Sequence, residues 1–159
     1  AHYVPHNNVS LLFYKRRFCY SLAVHNMGTS EVHCYMWHEG EAKRRVCETG
    51  SCLYEYITNI LPDEITEVSM FSDSCGGQNR NQFFAAVCQH TVTNPNGRVE
   101  LLDHKFLEKG HTEMEGGSMH SAIENAAKKN EICHPYKWHS VARLARKKGS
   151  LYIFKHMKQ

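Results

Sequence analysis

The 159 residues read as an α/β domain, a mixed sheet flanked by helices, and three features of the sequence say so. A strand pair with a turn between its members opens the chain. Short apolar strands then alternate with segments of helical period. The apolar and charged fractions, 42% and 22%, are those of a globular chain able to bury a core. One domain spanning residues 1–159 is the expectation.

Residues 1–10 read as an irregular lead-in. Residues 11–25 are expected to form a long strand on the bulk of Phe13, Phe18, Tyr20, Leu22 and Val24. Asn26-Met27-Gly28-Thr29-Ser30 is a turn signal, and residues 31–37 alternate as its hairpin partner. Leu53, Tyr56, Ile57, Ile60 and Leu61 recur at the spacing of one buried helical stripe, which Pro62 ends. The run Val68-Ser69-Met70-Phe71 predicts a central strand over residues 67–72. A helix begins near Asn81, with Phe84, Val87, Cys88 and Thr91 on one side. Asn94-Pro95-Asn96-Gly97 is a turn, followed by a strand over residues 98–102 or slightly beyond. Residues 110–117 read as a loop, with Ser118 capping a helix that runs to about Lys129. Pro135 separates it from a basic helix over residues 139–147, and residues 151–154 form a last strand.

Several function classes are excluded. No stretch reaches the eighteen or so apolar residues of a membrane span, and no secretory leader pattern is present. Seven scattered cysteines are expected to be reduced thiols inside a cell. The net charge is only +3, yet Lys15-Arg16-Arg17, Lys43-Arg44-Arg45 and the segment containing Arg143, Arg146 and Lys147 are basic blocks able to hold phosphates. Each block reads equally well as a solvated face.

Candidate chemistry lies in two segments. In Phe71 to Asn81, Asp73 closes a strand before Gly76-Gly77, where the chain turns sharply. Its carboxylate suits magnesium or manganese, and Gln78 and Asn79 could bind phosphate or sugar oxygens. The plainer expectation is that Asp73 caps the turn or the next helix. In His111 to Glu124, His120 and Glu124 share a helical face, and Glu124 borders the stripe of Met119, Ile123, Ala126 and Ala127. A solvent-facing Glu124 is the plainer expectation here. Cys34, His38, Cys47 and Cys52 could supply four zinc ligands, but they lack paired knuckle spacing and read more easily as core residues.

The strings Phe13-Tyr14-Lys15-Arg16, Cys34-Tyr35-Met36-Trp37, Phe71 to Asn81, Lys105 to Thr112 and Ser118 to Glu124 resemble, in this order, an integrase-like domain of invertebrate mobile-element-derived proteins. That domain is similar to the catalytic core of a transposase. The resemblance implies a ribonuclease-H-like fold. It also implies an ancestral two-metal site for cleaving or transferring phosphodiesters, with Asp73 and Glu124 as ligands of magnesium or manganese. His111 or His120 would assist proton or phosphate contacts, and Asp103 is a weaker ligand candidate. DNA or RNA would contact Gln78, Asn79, Arg80, Lys15, Arg16, Arg143, Arg146 and Lys147.

Two departures weaken the site. Relatives carry an acidic residue on a first strand, whereas none occurs between Ala1 and Ser30, and they tend to have Asp where this chain has Gly116-Gly117. Because the chain begins with Ala1, a first strand upstream of residue 1 is expected. The expectations are therefore a transposase-derived nucleic-acid-binding domain with a degenerate site or, alternatively, a non-catalytic module binding DNA, RNA or protein. A nuclear location follows from the implied substrate, and a homo-oligomer is left open.

Overall fold

The computed structural model describes residues 2–3, 18–42, 45–108, 115–130, 137–145 and 152–157. The chain is mixed α/β and forms two compact units: Ala1–Lys43 with Glu113–Gln159, and Arg44–Thr112 between them.

The first unit holds strands β1 (His2–Tyr3), β2 (Phe18–Asn26), β3 (Glu31–His38) and β6 (Ile153–His156), with helices α3 (Glu115–Ala127) and α4 (Lys137–Arg143). The sheet order is β1-β2-β3-β6. The predicted hairpin is present, with Cys19 opposite His38 and Asn26 opposite Glu31. Asn26 makes its turn, its Oδ1 accepting the amides of Gly28 at 2.9 Å and Thr29 at 3.2 Å. Ser30 then takes a left-handed backbone with φ of 58°. β6 pairs parallel to β3, so the sheet is mixed. On one face Val32, Cys34 and Met36 meet Met119, Ile123 and Ala127 of α3, then Trp138, Val141, Ala142 and Ala145. Met119, Ile123 and Ala127 are spaced by four, and Trp138, Val141, Ala142 and Ala145 by the same helical period. Each helix therefore has one apolar stripe to bury.

The second unit holds α1 (Val46–Asn59), β4 (Glu67–Ser72), α2 (Gln82–Thr93) and β5 (Leu101–Phe106). α1 begins where Glu48 turns back to accept the amide of Arg45 at 3.2 Å. It buries Cys52, Leu53, Tyr56 and Ile57. Burial in apolar surroundings, with Glu55 and Glu48 adding to it, pushes the Cys52 thiol up to about 12. At Gly50 a Cβ would lie 2.9 Å from Val87 Cγ2, so the missing side chain lets α1 approach α2. β4 and β5 pair in parallel, from Glu67 with Leu101 to Ser72 with Phe106. One face of this pair carries Glu67, Ser69, Phe71, Leu101, Asp103 and Lys105. The other carries His104, whose ring lies 5.1 Å from that of Phe84 on α2.

Several expected boundaries move, each for a physical reason. The lead-in contributes β1, which pairs with β2, while residues 11–17 lie outside the described ones. α1 begins seven residues ahead of Leu53, because its first two turns are polar and give no apolar period. β4 is no central strand among the described residues: its residues alternate between exposed and half-buried, and β5 is its one partner. β5 begins at Leu101 because its pairing starts there, opposite Glu67 at the start of β4. α3 begins at Glu115 and ends at Ala127, which places Ser118 inside the helix rather than at its cap. α4 spans Lys137–Arg143 and β6 spans Ile153–His156.

Candidate functional site

β4 ends at Ser72, and Asp73 follows it at the carboxyl end of the parallel pair, exposed to solvent. The loop beyond is closed by one carbonyl. Cys75 O accepts the amides of Gln78 at 3.1 Å, Asn79 at 2.9 Å and Arg80 at 3.0 Å. Three asparagine contacts then fasten it. Asn79 Nδ2 donates to Asp73 Oδ1 at 2.6 Å, Asn81 Nδ2 donates to Gly76 O at 3.0 Å, and Asn81 Oδ1 accepts Phe84 N at 2.9 Å as the cap of α2. Asp73 thus locks the turn, as the plainer expectation had it, and Asn79 spends an amide proton on that lock. Gln78 is half-buried and Arg80 is exposed.

Beneath the loop is a pair with no sequence signature. His104 Nε2 lies 2.9 Å from Ser72 Oγ, which donates to Asp73 O at 2.9 Å. Which of the two atoms donates follows from the tautomer of the ring. His104 also packs 4.3 Å from the Phe106 ring, and the Arg80 guanidinium lies over that ring at 5.5 Å.

Burial lowers the His104 pKa from its ordinary value, while Asp103 beside it acts in the opposite direction. A histidine whose folded pKa is depressed takes its proton more readily when unfolded. Its contribution is complete above the unfolded value of about 6.5 and is lost as pH falls from there toward the folded value. Urea midpoints from pH 8 to 5 are therefore expected to fall more steeply for the unmodified chain than for His104→Gln. Equal slopes would remove His104 as the cause.

Within the second unit, the acidic candidates Asp73 and Asp103 stand apart. Asp103 pairs in register with Ser69, four residues ahead of Asp73, or about 13 Å along the strand. It is also bound to Lys105 Nζ at 2.8 Å. Among the described residues no three His, Cys, Asp or Glu side chains gather to hold an ion. Asp73, with one oxygen already engaged by an amide, brings too little charge for two divalent ions. Glu124 is exposed on α3 in the other unit, one residue past the fully buried Ile123. Of the four cysteine and histidine residues weighed for zinc, Cys34 and Cys52 are fully buried, Cys34 belonging to the first unit and Cys52 to the second. Cys47 is exposed in the second unit, and His38, in the first, pairs with Glu41 at 3.5 Å.

Arg143 is exposed on α4. His111, Lys15, Arg16, Arg146 and Lys147 lie outside the described residues, as does the side chain of His120. A residue that sequence reasoning missed is Arg98. Its guanidinium donates to the carbonyls of Thr58 at 3.2 Å, Ile57 at 2.6 Å and Leu61, and it meets Asp63 at 3.1 Å. It borders a cavity of about 260 Å³ lined by Tyr54, Thr58, Asn94 and Asn96. Those contacts reach back 37 to 41 residues, beyond any local pattern.

Charge divides between the units. Ala1–Lys43 with Glu113–Gln159 has 13 Lys and Arg against 7 Asp and Glu, a net of +6. Arg44–Thr112 has 6 against 9, a net of −3. No family model, curated protein or solved structure matches the chain. No helix among the described residues is long and apolar enough to cross a membrane.

Proposed function

We propose that the chain is a transposase-derived, ribonuclease-H-like domain that binds nucleic acid through the basic first unit, with Asp73 the remnant of a cleavage site. The observation that carries this is the division of charge together with the outer face of α4. Lys137, Ser140 and Arg143 recur at helical spacing on its exposed side, opposite Trp138, Val141, Ala142 and Ala145. Lys128 and Lys129 are exposed just past α3. Such a surface neutralises phosphates without reading bases. Mixed pairing within the first unit's sheet, antiparallel between β2 and β3 and parallel between β3 and β6, supports the α/β part of the proposal. A DNA substrate would place the protein in the nucleus.

A second reading keeps cleavage, and the exposed position of Asp73 at a strand end favours it. Asp73 and Glu124 would then hold magnesium or manganese within a larger acidic set. One experiment separates the two: anisotropy of a labelled duplex titrated with the protein, from 50 to 200 mM salt, with EDTA or with magnesium. Affinity is expected to fall steeply with salt and to ignore magnesium. The double variant Lys137→Glu, Arg143→Glu should weaken binding about tenfold or more and reduce the salt slope by about 2. Binding that needs magnesium and disappears in Asp73→Ala would establish the second reading. No binding at 50 mM salt would overturn both.

A further inference from the structure

We infer that Arg80 and Phe106 form a stacking shelf for an unpaired base of a single nucleic-acid strand, beside Asp73 at the carboxyl ends of β4 and β5. This rests on the nucleic-acid reading and adds the kind of strand the second unit would take. Phe106 is the last residue of β5, opposite Ser72 in register, and the residue remains 38% exposed. The ring is held by its neighbours. His104 packs against it at 4.3 Å, is held by Ser72 at 2.9 Å, and meets Phe84 of α2 at 5.1 Å. Burial disfavours the charged form of that imidazole, which lessens repulsion of the guanidinium lying over Phe106.

Arg80 is the exposed end of this stack, and its backbone is pinned by the bond to Cys75 O at 3.0 Å. The other described cations in this unit with an ionic partner are committed elsewhere: Arg98 to Asp63 and three carbonyls, Lys105 to Asp103. Among the described residues no acid pairs with Arg80, and its guanidinium lies over a ring. A guanidinium lying over an aromatic ring offers a planar cation to a base and hydrogen-bond donors to the adjoining phosphate. An intact duplex presents only base edges and rows of phosphate, and a unit with net charge −3 offers little to such rows. An unpaired base presents the face that the shelf can cover.

The test compares the full chain with Arg80→Ala, Phe106→Leu and Phe106→Trp, each shown by circular dichroism to keep its fold. Two labelled probes are titrated at 50 mM salt: a 12-nucleotide single strand and a hairpin duplex closed at both ends. Arg80→Ala and Phe106→Leu are expected to weaken the single strand about tenfold or more, with the duplex unchanged within about twofold and Phe106→Trp retaining binding. Single-strand binding unaffected by either variant would overturn the shelf while leaving the nucleic-acid reading in place. Equal weakening of both probes would also overturn it, since the effect would then follow charge or fold. An unmodified chain that binds neither probe would overturn both proposals.

Discussion

Arg98→Met is expected to destabilise the chain by about 2–4 kcal/mol in urea unfolding at pH 7. The last carbonyls of a helix have no partner within it and carry the negative end of its dipole. At the end of α1, Ile60 and Leu61 both donate to Tyr56 O, which leaves Ile57, Thr58 and Leu61 to be served from outside. The two terminal nitrogens of Arg98 supply all three. Hydrogen bonds to a charged donor contribute about 1.5–3 kcal/mol each when the partner would otherwise be left unmade, and they are not additive. The ion pair adds little, because the Asp63 side chain is 93% exposed. Asp63→Asn should therefore shift the midpoint hardly at all. Arg98→Lys should recover less than half of the loss, since one ammonium cannot reproduce a planar fork that spans three carbonyls. A loss below about 1 kcal/mol for Arg98→Met would mean that water replaces the guanidinium at no cost.

Where order along the chain sufficed, the sequence was readable. Asn26 to Ser30 carried its own turn, and the stripe Phe84, Val87, Cys88 and Thr91 gave α2 its inner side, with Phe84 and Thr91 buried. Pairing decisions were not local. The run Val68-Ser69-Met70-Phe71 has the hydrophobicity of a central strand, yet Phe71 stays 47% exposed. An apolar run records a preference for pleated backbone and is silent on how many neighbours a strand acquires. Gly116 and Gly117 read as loop because each costs roughly 1 kcal/mol in a helix interior. Both lie within α3, where burial of Met119, Ile123 and Ala127 outweighs that cost.

The candidate site was legible to a similar degree. Asp73 announced itself by position, between a strand and two glycines, but its use did not. The amide that engages it belongs to Asn79, which sequence pattern offered to a ligand. The Ser72–His104 contact spans 32 residues and depends on the register of β4 against β5, which no spacing encodes. The same register places Phe106 beside the end of β4, so the shelf became visible only once that pairing was known.

Ile123→Ala is expected to cost about 2–5 kcal/mol, while Glu124→Gln at the adjacent position should change stability by less than about 0.5 kcal/mol. Ile123 is fully buried in the cluster that joins α3 to Val32, Cys34 and Met36, and its removal leaves a cavity among close-packed neighbours. Glu124 is exposed and is not part of that cluster. Urea unfolding of the two variants would show the contrast directly, and comparable losses would mean that Glu124 is part of the packing. The pair also isolates function from fold. Because Ile123 and its stripe anchor α3 in the core, a Glu124→Gln variant of unchanged stability keeps that anchoring, and any change it then shows in nucleic-acid affinity or magnesium response comes from the carboxylate. A Glu124→Gln variant that is both stable and unchanged in binding would leave that carboxylate no part in either reading of the site.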